Sequence, residues 1–189
     1  MNCFLKQIES RRSIRKFRQE RVEPGALREL VRLAALSPSG ANLQPLKFCI
    51  LSDPGLCAQF FALTHWAGYL PDGAPKEGER PPAYLLVLGD DEIRKNCELD
   101  AGIALGTIGL AAEAMGLATC LIGALERERI YELLGLPRQY VIHAAVAVGR
   151  AAMRAERCAM RDGDVRYFYK DGRFFVPKRP LSEVLLVEK

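Results

Sequence analysis

The sequence predicts one α+β domain, and three observations carry that expectation. The 189 residues suffice for a single substantial core and are too few for two. Helical and strand-like patterns alternate without a regular β-α-β rhythm. The segment "CELDAGIALGTIGLAAEAMGL" is apolar on every side over residues 101–115 except at Glu113, which predicts a long buried central helix with a mixed or antiparallel sheet packed around it.

The elements follow in order. "PGALRELVRLAALSPSG" sets Leu27, Leu30, Val31, Ala34 and Ala35 at helical spacing, started near Pro24 and ended by the cluster at 38–40. "KFCIL" (47–51) reads as a short strand between Pro45 and Asp53-Pro54. The pattern dissolves from 60 to 82 into residues rich in Gly, Pro and charge, and 53–82 is expected to be a variable lid or loop. "AYLLVLGD" restores an apolar strand over 84–88. Gly116 ends the long helix. "ATCLIGAL" reads as a loop or short strand, "ERERIYELLGLP" as a helix closed by Gly135 and Pro137, and "YVIHAAVAVG" as a buried strand. A Lys170-Asp171-Gly172 turn then separates two aromatic runs. Without repeats or linkers, residues 1–189 are expected to form one domain.

Apolar residues make up 49% and charged residues 26%, the balance of a folded chain. The formal charge of +4 is local: residues 11–21 hold six basic side chains against Glu20 alone. Charges from Lys6 onward leave no signal-like apolar stretch, and Glu113 divides 101–125 into halves too short for a bilayer on the criterion of about 20 residues. The expectation is a cytoplasmic protein with no membrane partner. Six cysteines without a C-x-x-C pair, and two distant histidines, His65 and His143, exclude zinc spacing and point to free thiols.

Protein-borne chemistry is thin. "GIALGTIG" has neither dinucleotide nor P-loop spacing, so its glycines read as close helix packing. Asp90-Asp91-Glu92 reads as a solvated turn, no G-x-S-x-G exists, and His143 lies in a strand pattern as a core histidine. If the chain is an enzyme, a cofactor carries the chemistry. The basic segment "SRRSIRKF" offers a narrower reading. In an extended chain Arg11, Ser13 and Arg15 share one side, where two guanidiniums and a hydroxyl suit a single phosphate. Lys178-Arg179, flanked by Pro177 and Pro180, is a second basic clip. A solvated basic face and a nucleic-acid stripe are the alternatives; the second lacks a recognition helix, a zinc module or an RNA-binding aromatic motif.

"RRSIRKF", "LSPSGANLQPLKF", "CLIGAL" and "VPKRPLSEV", in this order, resemble the nitroreductase family of FMN-dependent oxidoreductases over nearly the whole chain. The resemblance implies an intertwined α+β homodimer with FMN at the subunit interface. By that match Arg11, Arg12, Ser13 and Arg15 hold the phosphate, ribityl chain and pyrimidine edge, joined at the phosphate by Lys178 or Arg179. Pro38, Ser39, Gly40, Asn42 and Gln44 match the segment that each subunit lends to its partner's flavin. The backbone near Ile122 and Gly123 lies by the reactive edge of the ring, and Trp66 and Tyr69 are expected pocket walls. No metal is implied. The activity implied is ping-pong transfer from NADH or NADPH, through FMN, to a small electron-poor acceptor such as a nitroaromatic, quinone or activated alkene. A flavin-handling protein with little turnover and a basic ligand- or nucleic-acid-binding module are the alternatives.

Overall fold

The computed structural model describes residues 3–189. Its centre is an antiparallel sheet of β1 (Leu46–Leu51), β2 (Ala83–Asp90), β3 (Ala118–Ile122) and β4 (Tyr140–Gly149), ordered β1-β2-β4-β3. Every residue of β2 is buried, because helices cover both faces of the sheet. Leu85 and Val87 join Ala144 and Val146 beneath α2 (Pro24–Ala35) and α4 (Glu98–Ala114). Tyr84 and Leu86 face the other way, with Phe60 of α3 (Pro54–Phe61) and Ile130 of α5 (Arg127–Leu134). This is the period-two alternation of strands, with both sides apolar.

Val87 pairs with Ala144 and Leu88 with Ile142, so His143 is an extra, unpaired residue on β4. This bulge puts Ile142 and Ala144 on opposite faces although they are two apart. The local turn signals also act as expected. Pro24 opens α2, and Gly135 ends α5 at φ 60. Gly116 follows α4 at φ 70.

Two sequence expectations meet a different structure. The sheet lies against one side of α4 through Ala101, Ala104, Leu105, Ile108 and Ala112. The other side stays open in a single chain: Leu99 is 77% exposed, and a Cβ at Gly102 or Gly106 would meet nothing within 4 Å. Close packing therefore explains Gly109 alone, whose Cβ would lie 3.3 Å from Arg11 Cδ. Second, segment 53–82 is not irregular throughout. Asp53 accepts a hydrogen bond from Leu56 N (2.8 Å) and Pro54 occupies the first turn of α3. The irregular part, 62–82, is tied to the N-terminal segment by Phe17 N to Glu79 O (2.9 Å) and by a Lys16–Glu79 ion pair (2.9 Å).

An eight-residue helix α1 (Cys3–Ser10) precedes the basic segment. After β4 the chain builds a second sheet from β5 (Ala155–Ala159), β6 (Phe168–Lys170) and β7 (Arg173–Lys178), ordered β5-β7-β6, with β5 and β7 parallel. Asp171 (φ 49) and Gly172 (φ 71) make the predicted turn between β6 and β7. The short helix α6 (Leu181–Val184) follows. Cys49, Cys57, Cys97, Cys120 and Cys158 are free thiols, and no described helix is long and apolar enough to cross a membrane.

Candidate functional site

The basic segment runs extended along β3: Ser13 bridges Thr119 in parallel, and Ile14 N donates to Thr119 O at 2.9 Å. Side chains must then alternate. Ile14 enters the core cluster that holds the buried Cys120 thiol of β3, while Ser13, paired with Thr119, lies on the other side with Arg15 and with Arg11, whose Cδ and Thr119 Oγ1 both approach Gly109 of α4. Burial pushes that thiol up, and Arg15, Arg11 and the Ser13 hydroxyl pull it the other way. Among the described residues no carboxylate pairs with Arg11 or Arg15, and Arg15 Nη1 is buried with no hydrogen-bond partner. A buried donor in that state costs free energy until an acceptor arrives.

Arg12 does not join this group within the chain. Its guanidinium donates to the carbonyl oxygens of Arg11 and Glu9 and lines a cavity of 280 Å³ with Ser10, Ile14 and Glu113. Burial lowers its pKa, as do Arg11 and Arg157. Extended alternation places it opposite Arg11.

Pro38, Ser39, Gly40, Asn42 and Gln44 form the turn between α2 and β1. Gly40 N donates to Asp100 Oδ1 (3.1 Å), and Ser39 Oγ accepts from Gln44 N (3.0 Å). Ala41, Asn42 and Gln44 have φ of 52, 56 and 51, a concentration of left-handed backbone in non-glycine residues that marks a conformation held by its surroundings. A Cβ at Gly40 would run into the Arg94 guanidinium, which pairs with buried Asp100 at 3.6 Å and would have to move aside. The turn meets α4 at Asp100 and the basic segment meets it at Gly109. Those points are nine residues apart, about 13 Å of helix. Asn42 and Gln44 are exposed.

Ile122 is buried at the end of β3, and Gly123 opens to space, with nothing within 4 Å of a Cβ. Sequence reasoning missed what fixes this backbone. Arg127 donates through Nη2 to Gly123 O and His143 O (3.2 Å each) and through Nε to Ile142 O (3.0 Å). It thus joins the loop after β3 to the β4 bulge. His143 Nε2 lies 3.2 Å from Cys97 Sγ, and burial lowers its pKa; the ring is half-buried at the bulge rather than in the core, where its strand pattern predicts it. The irregular segment begins beside Gly123: His65 N donates to Ala124 O, and Glu126 N to Leu63 O (3.0 Å each). Trp66 Nε1 donates to Thr64 Oγ1 (2.7 Å), and Tyr69 packs on Tyr167 at 5.1 Å.

Lys178 and Arg179 are not brought to Arg11 and Arg15 within the chain. β7 touches the basic segment through Phe174, whose ring centroid is 5.4 Å from Arg15 Cζ. Lys178 lies four residues further, about 13 Å along the strand. Arg179 pairs with Glu183 at 2.9 Å.

The sequence model of the nitroreductase family matches residues 8–150. The chain belongs to the nitroreductase family. A Thermus thermophilus protein named NADH dehydrogenase is 30% identical over 173 residues, covering 75% of this chain and 83% of that protein. A Bacillus subtilis protein named FMN reductase [NAD(P)H] is 27% identical over 180 residues, covering 83% and 69%. Among solved structures, one from Desulfovibrio desulfuricans, described as a nitroreductase in complex with FMN, superposes with a TM-score of 0.76. It is 26% identical, and the match covers 100% of this chain and 98% of that one. The sequence-model match ends at residue 150, at the end of the four-stranded sheet, whereas the structural match extends over the second sheet as well.

Proposed function

We propose that this nitroreductase-family protein is an FMN-dependent oxidoreductase that moves reducing equivalents from NADH or NADPH to a small electron-poor acceptor in a ping-pong cycle. The carrying observation is that Arg11, Ser13 and Arg15 share one side of the extended segment along β3, with a buried, unpartnered N–H on Arg15. That donor set fits a phosphate monoester. Bound FMN supplies the electron chemistry, accepting a hydride equivalent from the nicotinamide and returning electrons to a nitroaromatic, quinone or activated alkene.

The chain's own residues bind and orient. Arg11, Ser13 and Arg15 hold the phosphate and the polar edge of the flavin, while Arg12 braces the backbone between them. The open Gly123, with its carbonyl clamped by Arg127, allows a flat ring to approach closely. Trp66 and Tyr69 wall the pocket. The turn with Pro38, Ser39, Gly40, Asn42 and Gln44 serves the flavin of a second subunit, which the 13 Å offset along α4 supports. The open side of α4, with Leu99, Gly102 and Gly106, and the exposed Leu181, Leu185 and Leu186 support a homodimer. Free thiols and a nicotinamide donor fit a reducing cytoplasm.

The decisive experiment is an absorbance spectrum of the purified protein after FMN loading and gel filtration, then anaerobic NADH or NADPH. Retained flavin bands that bleach are expected. A protein that retains no flavin refutes the reading, and retained flavin that neither nucleotide bleaches marks a flavin carrier instead.

A further inference from the structure

Arg15 is held by the C-terminal sheet. Its guanidinium carbon sits 4.5 Å from the Tyr167 ring centroid and 5.4 Å from that of Phe174. The two rings are 5.4 Å apart, and Tyr169 meets Phe174 edge-on at 5.0 Å. Phe174 is buried, and Arg15 N donates to Met153 Sδ at 3.4 Å. Met153, Tyr167, Tyr169 and Phe174 all follow the four-stranded sheet, and the last two lie on β6 and β7. Tyr69 of the irregular segment packs on Tyr167.

A guanidinium has two chemically different surfaces. Its flat faces satisfy themselves on aromatic rings, whereas its N–H groups donate only in the plane. With the rings of Tyr167 and Phe174 against it, Arg15 can seek oxygen acceptors only through its edge. That edge includes the buried, partnerless Nη1. Stacking removes rotamers that a long side chain otherwise loses on binding.

We propose that Tyr167 and Phe174 of the C-terminal sheet are positioning residues that pre-orient Arg15 for the flavin. This rests on the flavin reading above. It also gives Tyr167 a second task, because Tyr69 stacks on it and the irregular segment is thereby docked to the site.

The test is an FMN titration, by quenching of flavin fluorescence, of the wild type, Tyr167→Ala, Tyr167→Phe, Arg15→Ala and the double variant Arg15→Ala/Tyr167→Ala. Tyr167→Ala should raise Kd about fivefold, within the range for a partly desolvated cation–π contact. Tyr167→Phe keeps the ring and should stay within about twofold of wild type. Once Arg15 is alanine, removing Tyr167 should cost nothing more, a coupling that a merely structural role does not produce. Phe174→Leu gives an independent variant if Tyr167→Ala does not fold, and the same non-additivity with Arg15→Ala is expected of it. An unchanged Kd in Tyr167→Ala, or full additivity with Arg15→Ala, overturns the positioning role and leaves the flavin reading standing. A wild type that binds no FMN overturns both.

Discussion

Replacing Arg11 and Arg15 together by alanine tests the phosphate clip directly. Hydrogen bonds to charged partners contribute about 1.5–3 kcal/mol each. Both side chains are half-buried, so solvent screening favours the lower end. Two such contacts amount to about 3 kcal/mol, and at about 1.4 kcal/mol per tenfold this raises the FMN Kd about 100-fold. The cofactor-free fold should barely change. Loss of the Arg15 contact with Tyr167 costs about 0.5–1 kcal/mol, offset by relief of an unsatisfied buried donor. Fluorescence titration gives Kd, and urea unfolding of the flavin-free protein supplies the control. Affinity should also lose most of its salt dependence. A Kd within about threefold of wild type, with the fold intact, would refute the assignment of the phosphate to these residues.

Two further outcomes follow from the same geometry. Burial depresses the His143 pKa below its ordinary 6.5. The unfolded chain therefore binds the proton more readily below that pH, and stability falls with acidification from about 6.5 downward. Glu98 and Asp91 oppose the depression and Arg127 adds to it. His143→Gln should flatten this part of the stability curve, measured as urea midpoints between pH 8 and 5.5, and an unchanged slope would assign it to other groups. Leu99→Glu, at a site 77% exposed, should leave the protomer folded but shift light scattering to the monomer mass. A dimer that persists would move the interface off this side of α4.

Much of the fold was legible because its signals are local. Pro24, Gly116, Gly135 and the Asp171-Gly172 turn act through their own backbone preferences, and each stands where its chemistry directs. Helix α3 was legible in principle: Asp53-Pro54 is a helix start, but the Gly- and Pro-rich residues after 62 masked its short run. The C-terminal sheet was harder, because β5 and β7 pair in parallel across a long connection, and no local pattern sets such a register.

In the site, alternation made Arg11, Ser13 and Arg15 legible, since an extended backbone divides odd from even positions without help from the rest of the fold. The same rule sets Arg12 apart from them, yet charge and motif grouped all four residues. Which cations serve a ligand and which serve the backbone depends on carbonyls exposed at the end of α1, and these are settled only by folding. Arg127 was invisible for a related reason. Its partners are the carbonyls of Ile142, Gly123 and His143, and two of the three are exposed by a bulge that side-chain patterns do not announce.

The long helix shows a different limit. Apolar residues around its whole circumference predict burial on every side, but one chain supplies a neighbour for only one side. Gly102 and Gly106 then stand open where sequence reading expected them packed. Hydrophobic periodicity records the sum of all surfaces an element meets, and it does not say which chain provides each one. A helix whose apolar stripe closes on itself while half of it remains exposed is accounted for if a second surface completes the burial. The proposed dimer would offer the same surface to the strained turn at 41–44, whose Asn42 and Gln44 are exposed. The monomer-versus-dimer outcome for Leu99→Glu and flavin retention should therefore change together, since one interface would bury the helix and complete the site.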